Sequence, residues 1–240
     1  NYLIVQTKIL AEKSSDSNPK DTYLRLLCTL RKRLIYSGKE VNVGDFVFID
    51  SIDQKSLRAV ISDVKRRESL LTRPAVANVN SIFVVISLKE PEFNFDQANR
   101  FLLTAEMTGL KNIYVVLTKI DLISDDALQQ IIEDLSGWGY TILPTSIKSK
   151  KGISLLLEKL TKSKISVLSG PSGVGKSSLI QYLVPNQIIR TANVSGKLKR
   201  GKHTTRNIEL YSIGQGSLVA DTPGFNRPSL ELKPQDIGLL

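Results

Sequence analysis

One run of residues carries most of the chemistry this chain can do. Gly170-Pro171-Ser172-Gly173-Val174-Gly175-Lys176-Ser177, followed by Ser178, fits the spacing GxxxxGK[ST]. A phosphate chain needs many N–H donors at close range. Glycines let the backbone wrap it without Cβ clashes, and a helix N-terminus adds positive dipole. On this reading Lys176 reaches the β and γ phosphates and the Ser177 hydroxyl ligates Mg2+. The plain alternative is a Gly-rich turn that matches by chance. An apolar strand before the run and a helical pattern after it weigh against that.

Three shorter pieces extend the reading. Thr118-Lys119-Ile120-Asp121 ends an apolar strand. A carboxylate there can accept from guanine N1–H and N2–H2, a pair that adenine lacks. The Lys119 stem can cover the base. Alone, such a tetrapeptide is as well read as a solvated turn; beside a phosphate loop, guanine reading is the better account. Thr145-Ser146-Ile147-Lys148 follows the next strand, and the amides of Ser146, Ile147 and Lys148 are expected at guanine O6. Asp221-Thr222-Pro223-Gly224 follows a further apolar strand. There Asp221 is expected to hold Mg2+, usually through water, and the Gly224 N–H to sense a γ phosphate.

Between these lies the basic stretch 196–206, GKLKRGKHTTR. A loop that senses a γ phosphate needs a Thr whose hydroxyl closes on Mg2+. Thr204 and Thr205 are the candidates, with Thr205 taken as the ligand and as part of the catalytic set with Lys176. His203, the only histidine, is either a residue that orients the attacking water or a loop residue without a role. The lysines and Arg200 of this stretch either touch RNA or are solvated.

The rest of the chain must position these pieces. Its 240 residues hold 33 Lys+Arg and 23 Asp+Glu, a formal net charge of +10, with 41% hydrophobic residues. That is a globular composition with room for one large or two smaller domains. Residues 1–75 are the denser cation, which suits a polyanion such as RNA but is weak evidence alone. Apolar stretches run to only about eight residues, so no spanning helix and no membrane partner is expected. No secretory leader is expected either. One Cys (Cys28) and one His exclude a Cys/His zinc site within these residues and permit a reducing compartment.

Residues 2–10, 22–32, 45–50 and 57–64 read as short strands and suggest a small barrel, though 23–35 fits a helix on pattern alone. Residues 65–74 read as a polar linker. From residue 76 strands alternate with helices. Strands are expected at 81–88, 112–117, 141–144, 165–168 and 217–220, and helices at 95–110, 125–135, 153–160 and 177–183. This rhythm implies a parallel sheet covered on both faces, with ligands beyond the carboxyl ends of its strands. The expected division is a β domain over 1–73 and an α/β domain over 74–240.

The order of the pieces is unusual: the base-reading pair precedes the phosphate loop, the switch Thr and DTPG. Together with the β domain ahead, and with Val43-Gly44-Asp45 and Arg73-Pro74-Ala75-Val76-Ala77-Asn78-Val79, it resembles the RsgA (YjeQ/EngC) family of circularly permuted GTPases. The resemblance implies an N-terminal OB-fold barrel that binds RNA and an α/β P-loop GTPase domain with a mostly parallel sheet. It implies GTP and GDP as ligands, Mg2+ as the metal, and GTP hydrolysis stimulated by the small (30S) ribosomal subunit late in its maturation. Partners would be that subunit and its rRNA. A cytoplasmic monomer is expected; an organellar stroma or matrix stays open as a location. The family's C-terminal zinc domain is expected to lie outside these residues, and zinc with it. Tyr2, Tyr23, Tyr36, Phe46 and Phe48 are available for stacking on bases, but core positions are the favoured reading. Thr118 stands where many GTPases carry Asn, and a hydroxyl offers fewer hydrogen bonds than an amide. Phe225 follows DTPG where Ras-type enzymes place a water-orienting Gln, so slow unstimulated turnover is expected. Two other classes stay open, an ATP-using P-loop enzyme and a non-hydrolysing RNA-binding assembly factor.

Overall fold

A computed structural model of the chain describes residues 3–9, 22–72, 75–185 and 208–221, with backbone alone at 6–9, 22 and 23. Contacts divide the chain into two compact units, Asn1–Arg67 and Glu68–Leu240.

The first unit is built on four strands, β1 (Leu3–Ile9), β2 (Thr22–Leu30), β3 (Val47–Asp53) and β4 (Arg58–Val64), in the order β1-β2-β4-β3. β1 and β2 run antiparallel, β2 and β4 parallel, and β3 and β4 antiparallel. Leu26, Cys28, Leu34, Ala59 and Ile61 form its core. The ambiguity over 23–35 resolves into both elements: β2 stops at Leu30 and a one-turn helix α1 (Lys32–Tyr36) follows, burying only Leu34. Asp45 of the Val-Gly-Asp run accepts a two-pronged ion pair from Arg67, Nε to Oδ1 and Nη2 to Oδ2, each 2.8 Å. The Asp45 side chain is 1% exposed, so the bidentate pair offsets a desolvation that a lone carboxylate would not survive. That hydrogen bond also raises the Arg67 guanidinium above its ordinary pKa. One expectation fails in this unit. Tyr36, Phe46 and Phe48 are exposed, not core. Phe48 lies on β3, an edge strand, where alternate side chains leave the covered face.

The second unit opens with a hairpin, β5 (Leu70–Thr72) and β6 (Ala75–Ala77). Residues 65–74 are therefore not simply a polar linker: Leu71 packs with Val76 and Val79 in a small core. Asn78 steps into the left-handed region at φ 58° and its Oδ1 accepts from the Glu68 amide at 2.8 Å, closing the turn.

The main sheet comprises β7 (Ser81–Ser87), β8 (Asn112–Thr118), β9 (Thr141–Pro144), β10 (Ile165–Ser169), β11 (Glu209–Gly214) and β12 (Ser217–Asp221), ordered β11-β12-β10-β7-β8-β9. All neighbours are parallel except β11 and β12. Gln215 and Gly216, both at positive φ, join these strands in a two-residue turn, which can only connect antiparallel neighbours.

Every residue of β7 and β10 is buried, the mark of central strands covered on both faces. Ile82, Val84 and Ile86 point to one face, against α2 (Phe95–Glu106) and α3 (Asp125–Ser136). Phe83 and Val85 point to the other, against α4 (Ile153–Thr161) and α5 (Lys176–Leu183). Each Leu or Phe so buried contributes about 1.5–3 kcal/mol. Helix starts are set locally: Asn94 and Ser124 accept from Gln97 and Ala127 amides as side-chain caps of α2 and α3.

Candidate functional site

The candidate residues gather at the carboxyl ends of parallel strands of this sheet: Asp221 ends β12, the phosphate-loop run follows β10, Thr118 ends β8 with Lys119–Asp121 after it, and Thr145–Lys148 follow β9.

The loop after β10 has a backbone only glycine permits. Gly170, Gly173 and Gly175 stand at φ 142°, 83° and 98°. A Cβ on Gly170 would sit 2.1 Å from the Val85 carbonyl oxygen of β7, so here glycine answers a close approach as well as a conformation. Gly175 is the N-cap of α5, and Lys176 its first residue. Lys176 is 8% exposed. Its ammonium donates to the Gly170 and Pro171 carbonyls at 2.7 and 2.6 Å, which makes a buried cation tolerable. Burial still pushes its pKa down to about 8, with Asp221 pulling it back up. Burial raises the carboxyl of Asp221, against the pull of Lys176. The two groups feel one another across the strands β10 and β12.

The loop after β8 is bonded to the phosphate loop. Thr118 Oγ1 lies 2.7 Å from the Val174 carbonyl and 3.2 Å from that of Ile86. Its single hydrogen serves the shorter contact, so the Thr in place of Asn still ties the two loops. Lys119 is left-handed at φ 60°. Its ammonium donates to the Gly173 carbonyl at 3.2 Å and to the Glu90 carbonyl.

Asp121 is exposed, and its Oδ1 accepts from the Ser146 hydroxyl. Ser146 Oγ in turn accepts from the Ser149 amide at 3.0 Å. The Ser146 amide does not point outward to a ligand, contrary to expectation. It donates to the Lys151 carbonyl at 3.0 Å, so its side chain serves the site by fixing Asp121. Thr145 is held by its amide to the Leu117 carbonyl at 2.7 Å. The loop closes at Gly152, where a Cβ would lie 1.9 Å from the Pro144 carbonyl oxygen.

The structure thus brings together Thr118, Lys119, Asp121, Ser146 and the run 170–178, with Asp221 coupled to Lys176. His203, Thr204, Thr205 and Gly224 lie outside the described residues. Among the described residues no cluster of three or more His, Cys, Asp or Glu side chains could hold a metal. What the sequence reading missed is the turn after β7, whose Glu90 carbonyl meets Lys119. A main-chain carbonyl has no residue signature, and only Pro91 and the Asn94 cap mark a turn there.

A glycine-rich loop with P-loop spacing at the start of α5, with Lys176 and Asp221 coupled beside it at the edge of a mostly parallel sheet, is the form of a P-loop nucleotide-binding protein. Residues 64–231 match the RsgA GTPase family. A small ribosomal subunit biogenesis GTPase RsgA of Prochlorococcus marinus (strain NATL1A) is 49% identical over 240 residues, covering 100% of this chain and 77% of that protein. The protein of the same name from Synechococcus sp. (strain CC9605) is 52% identical over 216 residues, 90% of this chain and 71% of its own. Among solved structures, YjeQ from Thermotoga maritima superimposes with a TM-score of 0.69 at 35% identity, over 84% of this chain and 67% of its own. YloQ, a circularly permuted GTPase, has a TM-score of 0.69 at 26% identity, over 98% of this chain and 77% of its own. The chain belongs to the RsgA GTPase family.

Proposed function

We propose that this chain hydrolyses GTP at the site between β8 and β10, in the maturation of the small ribosomal subunit, and that the subunit stimulates its turnover. The observation that carries the reading is the pair of bonds from Thr118 and Lys119 to the carbonyls of Val174 and Gly173. They weld a base-reading loop to a phosphate loop, as a ligand spanning both requires. The relatives that cover the whole chain are named for small-subunit biogenesis.

Asp121, aimed by Ser146, accepts from guanine N1–H and N2–H2. The Lys119 stem covers the base, and the Ile147 and Lys148 amides face O6. The amides of the run 170–178, Pro171 apart, wrap the phosphates, and Lys176 exchanges its two carbonyl partners for β and γ phosphate oxygens. The Ser177 hydroxyl and the Asp221 carboxylate are hard oxygen donors of the kind that would hold Mg2+. Thr205 would complete that set and Gly224 would sense the γ phosphate. Bound Mg2+ supplies charge neutralisation at the β and γ phosphates. Water attacks the γ phosphorus, the bond to the β–γ bridging oxygen breaks, and GDP leaves with that oxygen while phosphate takes the water's. His203 is the candidate to orient the water, since Phe225 cannot.

For the first unit we propose an OB-fold within residues 1–73 that binds rRNA, ahead of a permuted GTPase domain over 74–240. Exposed Tyr36, Phe46 and Phe48 support it, because aromatic faces on a basic surface stack with single-stranded bases. A cytoplasmic monomer is the working state proposed.

Single-turnover hydrolysis of GTP with and without 30S subunits tests the reading. Slow release of phosphate alone and acceleration by the subunit are expected, with GTP outcompeting ATP. Fast unstimulated hydrolysis, or ATP binding equal to GTP, would overturn it.

A further inference from the structure

The turn between β7 and α2 touches both halves of the nucleotide site, and nothing in the motifs accounts for it. Glu90 sits in the left-handed region at φ 54°, a conformation that costs a non-glycine residue free energy and persists only where its surroundings over-determine it. Its side chain is exposed, so the conformation is not explained by what that side chain packs against. Its carbonyl accepts from the Lys119 ammonium, which the Gly173 carbonyl shares. The next residue, Pro91, places its Cδ 3.5 Å from where a Cβ on Gly173 would stand.

The turn is held on every side. The Ser87 hydroxyl donates to the Lys89 carbonyl, and the Leu88 amide donates to the Thr118 carbonyl at 3.2 Å. Lys89 and Glu92 pair at 3.7 Å. The Phe93 ring meets Phe95 edge-on at 4.6 Å and packs on the core under α2. Asn94 caps α2.

We propose that the 88–94 turn is a positioning element for guanine-nucleotide binding, with the left-handed Glu90 main chain holding Lys119 over the base. This rests on the reading of the site given above. Glu90 acts through Lys119 and is a positioning residue. A lysine stem covers a purine well only if its head is fixed. Two carbonyls, one from the phosphate loop and one from this turn, fix it from opposite loops. Loss of the Glu90 carbonyl leaves the ammonium one partner short and the stem free to swing.

The test exploits main-chain preference. Val does not tolerate the left-handed region, whereas Asn does. Affinity for a fluorescent GDP analogue is measured in the full chain for Glu90→Val, Glu90→Asn, Lys119→Met and the double variant Glu90→Val/Lys119→Met. Glu90→Val is expected to weaken binding about tenfold, the value of one hydrogen bond to a charged group, and to raise KM with kcat unchanged. Glu90→Asn should bind within about twofold of the parent. With Lys119 replaced, Glu90→Val should have no further effect, since its action runs through that ammonium. Unchanged affinity in Glu90→Val, or the same loss in the Lys119→Met background, overturns the proposal. Circular dichroism checks folding, and if Glu90→Val does not fold, Pro91→Gly takes its place in the same cycle with the same criteria. Failure of the parent protein to bind the GDP analogue would bring down the reading of the site itself. Normal parent binding with unaffected variants would bring down only the role of the turn.

Discussion

Thr118 Oγ1 stands 2.7 Å from the carbonyl oxygen of Val174. That bond joins a strand end to a loop that comes much later in the chain, and it lies in the buried floor of the site, where Thr118 is 5% exposed. Replacing Thr118 by Val keeps the shape and removes the donor. Leaving the Val174 carbonyl unmet should cost about 1–3 kcal/mol. The expected result is a matching drop in unfolding free energy by denaturant titration, together with weaker GDP binding. Unaltered values for both would show that the two loops are held by Lys119 alone.

Gly170 admits no side chain. A methyl there would meet the Val85 carbonyl oxygen at 2.1 Å, on a strand that is buried throughout. Gly170→Ala must push β10 away from β7 and should destabilise the second unit by at least about 2 kcal/mol. Thermal unfolding reads this directly, and an unshifted midpoint would contradict the close approach.

Asp121 should decide which base is read. Asp121→Asn exchanges one acceptor oxygen for a donor, so N2–H2 of guanine meets another N–H. GTP affinity should fall about tenfold to a hundredfold. Xanthosine triphosphate, which carries an oxygen at that ring position, should recover much of the loss. Calorimetric titration with both nucleotides checks the exchange; equal losses for the two would place base recognition elsewhere.

Lys176 makes binding depend on pH in a defined direction. Its pKa is lowered to about 8 by burial, against an ordinary lysine near 10.5. Between these values the unfolded chain binds more protons than the folded one. This group's contribution to stability therefore rises with pH from about 8 to about 10.5 and is flat below. Phosphate needs the ammonium, so GDP affinity should move the opposite way and decline as pH climbs past 8. Near pH 8 binding should take up protons, because phosphate restores the charge. Calorimetry in buffers of different ionisation enthalpy measures that uptake. Its absence around pH 8 would mean that Lys176 is already fully charged in the free protein.

Much of the α/β unit was legible before any coordinates. The apolar runs of β7 and β10 are strands because they are buried on both faces, and continuous hydrophobicity says so. The helices α2 and α3 announce themselves through apolar spacing, while their Asn94 and Ser124 caps emerge only in the structure. The hairpin of β5 and β6 escaped because Leu70 and Leu71 sit among charged residues, and a strand of three residues has no period to read. β11 escaped likewise, as its burial is partial and its neighbours are polar. Hydrophobicity alone favours burial for Phe46 and Phe48. Phe48 is turned out by its place on the edge strand β3, and Phe46 stands exposed just before that strand.

Residue types and spacing alone marked out the GxxxxGK[ST] run, the Thr118–Asp121 tetrapeptide and the order in which they follow one another, because those signals are local and their chemistry is encoded in side chains. Tertiary structure decided that Ser146 aims Asp121 with its hydroxyl while its amide is spent on Lys151, and that Lys119 is shared between Gly173 and Glu90. Those partners are set by which strands lie side by side, and several are main-chain carbonyls, which every residue possesses and no sequence pattern can mark.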